Sequence, residues 1–177
     1  MKKVILIYGL IAGSIVAAMM FITMPMYNNG TLDLDNGELV GYTTMVIALS
    51  MVFFGIKSYR DNYANGSISF GKGFKVGILI TVIACGMYGL AWEVSYSQIG
   101  DDFMKKMNEK YFTEMKAGGA TEQELEAAKK EWENFGEMYK NPVFRFVFTV
   151  FVEIFPVGLA ITLISAGVLR KKEFLPA

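Results

Sequence analysis

Four long stretches of the chain are apolar almost without interruption, and polar positions gather in the segments between them. Residues 4–26 carry no charge at all, and residues 39–56 carry none. Residues 74–97 hold a single acid near their end, Glu93. Residues 143–169 hold Arg145 and Glu153. A helix rises about 1.5 Å per residue, so roughly 20 apolar residues cross a hydrocarbon core of about 30 Å. Each stretch meets that length or comes close to it. The pattern predicts an all-α membrane protein with four transmembrane helices, forming one membrane domain over residues 1–177. The first run is longer than the core of a signal peptide and is expected to remain as a span.

Residues 100–141 read differently. Phe103, Met107, Tyr111 and Met115 recur every four positions, after Asp101 or Asp102 as a predicted helix cap. Gly118-Gly119 is expected to break that helix. Thr121-Glu122-Gln123-Glu124 then has the form of a capping box, opening a second helix in which Leu125, Ala128, Trp132, Phe135 and Met138 line one face. This predicts an amphipathic helical hairpin between the third and fourth spans. It could pack on the span ends, lie in the lipid interface, or present its Met and aromatic stripe to a membrane or periplasmic protein partner.

Charge placement sets the expected orientation. Lys2, Lys3, Lys57, Arg60, Lys72, Lys75, Arg170, Lys171 and Lys172 fall on one side of the spans. The other side has Asp33, Asp35 and Glu38 in its first loop, and seven lysines against ten acids over residues 100–141. By the positive-inside rule both termini are cytoplasmic and the hairpin is periplasmic, in a bacterial inner membrane.

Composition narrows the chemistry. Seventeen basic and seventeen acidic residues cancel, which disfavours a nucleic-acid partner and leaves the lipid bilayer as the expected one. With no histidine and one cysteine, Cys85, the chain lacks His-based triads, His-ligated metal sites and CxxC couples. No catalytic, cofactor-binding or metal-binding set emerges, and a non-enzymatic role is expected.

The intramembrane charges are then the candidate sites, because charge is costly in hydrocarbon. Glu93 and Arg145 lie at matching depth near the outer rim and are expected to form an ion pair joining the third and fourth spans. Glu153 lies about 16 Å below that rim, close to the midplane, with no basic residue at its level. Ser14, Ser50 and Thr81 fall within about two turns of the same depth on other spans. Pro156 cannot bond back to the Val152 carbonyl, so a kink and a spare acceptor are expected beside Glu153. The carboxyl is expected to be neutral and to donate to a hydroxyl or to that carbonyl. The role expected is interhelical glue in a structural or accessory subunit; the alternative is the coupling group of a small proton- or cation-coupled transporter or channel. Gly9-x-x-x-Gly13 and Gly73-x-x-x-Gly77 predict close helix approach.

Three stretches together carry a family resemblance: Tyr8-Gly-Leu-Ile-Ala-Gly13, Ile68-Ser-Phe-Gly-Lys-Gly-Phe-Lys-Val-Gly77, and Glu153-Ile-Phe-Pro-Val-Gly158 with Leu163-Ile-Ser-Ala166 and Arg170-Lys-Lys172. They resemble the bacterial four-span membrane proteins of domain-of-unknown-function family 4199. The resemblance covers nearly the whole chain and implies the same four-span topology. It implies no activity, substrate or catalytic residue.

Overall fold

The computed structural model describes residues 1–171, so Lys172 lies outside the described residues. Six α-helices and one π-helical segment account for nearly all of it. They are α1 (Lys2–Asn28), α2 (Leu34–Tyr63), α3 (Phe70–Ala117), α4 (Glu122–Tyr139), α5 (Pro142–Phe148), the π segment (Thr149–Ile154) and α6 (Phe155–Leu169). Four helical stretches are long and apolar enough to cross a membrane, the last running from Pro142 to Leu169 through the π segment. Among the described residues there is no strand. A single antiparallel bridge, Ile68 to Lys171, ties the α2–α3 turn to the segment after α6. It fixes those two segments at one end of the bundle, the terminal end; the α1–α2 turn and α4 lie at the other, the hairpin end.

Local chemistry explains where the helices start. Asp33 accepts from the Asn36 N–H at 2.8 Å, and Ser69 accepts from the Lys72 N–H at 3.3 Å, each satisfying a donor that the helix leaves free. The Asn36 backbone and side chain hold the Asp33 carboxyl below its ordinary range. The capping box at α4 is complete: Glu124 receives the Thr121 N–H at 2.7 Å, and Thr121 Oγ1 receives the Glu124 N–H at 3.3 Å. Asn141 caps α5 with Pro142 at its first turn.

One expected boundary is absent. Neither Asp101 nor Asp102 caps a new helix, because α3 runs unbroken for 48 residues, about 72 Å. A lone Gly100 without a proline nearby weakens a helix but does not end it. The third span therefore continues as one arm of the hairpin, until Gly118 caps it and Gly119 turns the chain at φ +82°.

Inside the bundle, α2 and α3 pack on each other, and both pack against α1 and α6. Small residues let the backbones approach. A methyl group built on Gly9 would meet Ile83 Cβ at 2.8 Å, and one on Gly13 would meet Met87 Cβ at 2.8 Å, so α3 knobs seat over α1 glycines. On the far seam, the corresponding atom on Gly77 would meet Thr162 Cγ2 at 2.8 Å. Leu49, Val52, Ile56, Val76, Ile80 and Ile154 fill the centre with no solvent exposure. The outer surface is as apolar as the core: Leu6, Leu90, Val143, Ile164 and Val168 are all more than half exposed or nearly so. A surface of that kind needs lipid around it.

At the hairpin end α4 packs on the span ends. Its Trp132 stacks on Tyr111 of α3 with ring centres 5.4 Å apart, and Phe135 meets Phe148 edge-on at 5.1 Å. The buried face departs from the expected stripe at its end, where Met138 is 50% exposed and Tyr139 is buried instead.

Candidate functional site

The chain following Asn141 carries both candidate charges, one turn and three turns in. Arg145 is buried and reaches across to α3, where Glu93 receives its Nε at 3.0 Å and its Nη2 at 2.5 Å. Its Nη1 donates to the Tyr139 carbonyl at 3.0 Å, and its guanidinium lies 3.8 Å from the centre of the Tyr96 ring. This fork geometry suits arginine and not lysine. The structure thus brings Glu93 and Arg145 together and adds a carbonyl and an aromatic face that the sequence did not disclose.

Three turns in, the helix widens. The π segment Thr149–Ile154 ends just before Pro156, and the Phe155 N–H bonds to the Val150 carbonyl, five residues back. Proline cannot supply the next backbone donor, and a wide turn accommodates that loss without a free helix end. Pro156 itself faces outward. Glu153 sits within this segment, half-buried, and its Oε2 lies 2.7 Å from the Tyr88 hydroxyl of α3. Of the two partners expected, a hydroxyl or the carbonyl freed by Pro156, it is a hydroxyl that is found, the Tyr88 phenol of α3, and the phenol donates to the carboxyl.

The other expected neighbours do not join it. Ser14 is exposed on α1, and the Ser50 hydroxyl turns back to the Ile47 carbonyl at 2.6 Å on its own helix. Neither reaches the carboxyl, since Ser14 faces outward and the Ser50 hydroxyl is bound on its own helix. Thr81 is fully buried in the seam between α3 and α6, 3.1 Å from the Thr162 hydroxyl, and does not contact the carboxyl. The groups found near Glu153 instead form a small network. Trp92 donates from its indole nitrogen to the Tyr139 hydroxyl at 3.0 Å, and that hydroxyl lies 3.3 Å from Thr149 Oγ1. Tyr88 and Trp92 follow Thr81 and Cys85 at helical spacing on one face of α3, a periodicity that could have disclosed them.

A cavity of about 700 Å³ begins at this network. Glu153, Tyr88 and Tyr139 line its inner end, which we call the floor, and its lining follows α3 for about seven turns to the exposed acids Asp35, Glu38 and Glu114 with Lys110, which we call the mouth. Lys110 holds Asp35 at 2.5 Å, Glu38 at 3.6 Å and Glu114 at 3.8 Å, so the mouth is itself an ion cluster. Methionines and aromatic rings make up much of the wall. The volume matches pockets that enclose small organic ligands. One carboxylate flanked by phenols can take a proton or pair with one cationic group. It supplies too few oxygens to strip the water from a small metal ion.

Four apolar helices around a carboxylate-floored cavity define a polytopic α-helical membrane protein. Within that class the chain belongs to the DUF4199 family, proteins of unknown function, whose pattern it matches over residues 7–171. No curated protein and no solved structure matches the chain.

Proposed function

We propose that this is a non-enzymatic protein of the bacterial inner membrane that binds a solute in the cavity above Glu153, as a small proton- or cation-coupled carrier or channel does. The observation that carries this reading is the position of Glu153: a carboxyl held near the middle of the bundle that nevertheless lines a cavity whose lining extends to the exposed acids Asp35, Glu38 and Glu114 at the hairpin end. Intramembrane acids that serve only to join helices are enclosed by side chains, whereas groups that exchange protons or ions need a path to water.

The test uses two substitutions. Glu153→Gln keeps the size and the hydrogen bond with Tyr88, so the thermal stability of the purified protein should stay close to wild type. Glu153→Ala should lose roughly 1–2 kcal/mol through the missing interhelical bond and the void left behind. If Glu153 exchanges a proton or pairs with a cation, the Gln variant fails to complement a deletion strain despite being folded. A Gln variant that complements fully would favour the second reading, an accessory subunit docking a membrane or periplasmic partner through residues 100–141.

Orientation is part of the proposal. The charge asymmetry supports cytoplasmic termini and a periplasmic hairpin, with the cavity mouth facing the periplasm. Reporter fusions at Lys172 and within residues 57–72 should read cytoplasmic, and fusions at Asn36 and Gly118 periplasmic. A periplasmic reading at Lys172 would overturn it.

A further inference from the structure

We infer that the cavity takes an amphipathic organic cation, an inference that rests on the solute-binding reading above and names its ligand class. Charge is the first argument. Four carboxylates line the cavity, Glu153 at the floor and Asp35, Glu38 and Glu114 at the mouth, against Lys110 as the one basic side chain among the described lining residues. Lys110 is held by the three mouth acids and stands far from the floor. Arg145, the other cation nearby, is turned toward Glu93 and the Tyr139 carbonyl and does not line the cavity. An anion entering would meet the mouth acids and find no cation at the floor, whereas a cation would find acids at the mouth and, on displacing the Glu153 proton, a carboxylate at the floor.

The walls supply the second argument. Between mouth and floor the lining includes Trp132, Phe135, Phe103 and Trp92, aromatic rings of the kind that attract cations and take up apolar groups. Met20, Met45 and Met104 add adaptable apolar surface that accepts varied shapes. A strongly hydrated inorganic ion finds nothing along this path to replace its water. A cation with its charge spread over carbon substituents loses little hydration and fits both the rings and the terminal carboxylate.

The chain's two tryptophans, Trp92 and Trp132, both line the cavity, so intrinsic fluorescence reads its occupancy. The full-length protein in lipid nanodiscs would be titrated with three probes of similar bulk: tetraphenylphosphonium, the neutral triphenylphosphine oxide, and the anionic tetraphenylborate. Saturable quenching by the phosphonium is expected, at least tenfold tighter than by the neutral probe and with none by the borate. Glu153→Gln should weaken the phosphonium tenfold or more while leaving the melting temperature and the weak neutral binding unchanged. Equal binding of the neutral probe, or no effect of Glu153→Gln, overturns the cation assignment and leaves the solute-binding cavity standing. If no probe binds, Thr44→Cys in a Cys85→Ala background decides what falls, since Thr44 lines the cavity and Cys85 is the only native cysteine. Alkylation of that cysteine by a water-soluble maleimide means that only the cation assignment is wrong. Absence of alkylation means that the cavity is closed to water and that both readings fail.

Discussion

Arg145→Glu is expected to be among the most damaging single changes in the protein, lowering its stability by about 3 kcal/mol or more. Four interactions end together: both forks to Glu93, the bond to the Tyr139 carbonyl and the contact with the Tyr96 ring. What remains is worse than their absence. The Glu93 side chain is 22% exposed, too little to regain full hydration, and it would face a second carboxylate where a cation had been. Breaking a buried pair from one side costs about 3–5 kcal/mol for this reason, and the partial exposure of Glu93 places the charge-neutral Arg145→Ala near the lower end of that range. Adding Glu93→Arg to Arg145→Glu should recover part of the loss and no more. A carboxylate at position 145 would still face the Tyr139 carbonyl, which can only accept, and the Tyr96 ring face, which repels negative charge. Arg145→Lys should fall between, since an ammonium keeps the charge but cannot form the fork. Thermal melts of these four variants and of Glu93→Arg alone complete the cycle. A double variant whose loss equals the sum of the two single losses would show that Glu93 and Arg145 do not stabilise one another.

The four spans were legible because their signal is one-dimensional: an apolar run either reaches the bilayer thickness or does not. The α1 seam was legible for a similar reason, since Gly9 and Gly13 share a face whatever packs on it. Depth, too, follows from counting residues, and it put Glu93 level with Arg145. Azimuth does not follow from counting. Ser14 and Ser50 were expected within two turns of Glu153 yet point elsewhere, and nothing in one helix's sequence says which way it is turned in the bundle. Tyr88 was passed over because a tyrosine in an apolar run reads as a ring and not as a hydroxyl. The continuity of α3 escaped for a local reason: Asp101 and Asp102 are good caps wherever a helix starts, and no signal there says that one is already under way. The cavity belongs to no single segment, because α1, α2, α3, α4 and the chain after Asn141 all contribute to its wall. Its presence depends on how far apart the helices stand at the hairpin end, which small residues and wide aromatic contacts set jointly.

Gly158→Ala tests the seam on the other side of the bundle, and the result expected is a loss of about 1–3 kcal/mol from a single added methyl group. Gly158 faces Thr81 across the junction of α3 and α6, where the added carbon would lie far inside van der Waals contact of Thr81 Cγ2. Thr81 cannot swing aside cheaply, because it is β-branched, fully buried, and held by its hydroxyl 3.1 Å from Thr162 Oγ1. Rotating the methyl away would carry the hydroxyl off that partner, leaving a buried polar group unsatisfied. Separating the helices would instead open the adjoining contact, where a methyl on Gly77 would already be 2.8 Å from Thr162 Cγ2 and the fit is set by the same spacing. Either response is costly, and together they outweigh the gain of about 1 kcal/mol that alanine brings over glycine in a helix. The explanation names one atom, so a second substitution can remove it. Thr81→Ser deletes Cγ2 and keeps the hydroxyl. On its own it should cost little beyond a small void, about 1 kcal/mol. Combined with Gly158→Ala it should restore most of the lost stability, because the new methyl occupies the space that Cγ2 vacates. Melting temperatures in detergent for the two single variants and the double variant decide the matter. If the double variant is no more stable than Gly158→Ala alone, the overlap with Thr81 is not the cause, and close approach of α3 and α6 at this point does not hold the bundle together.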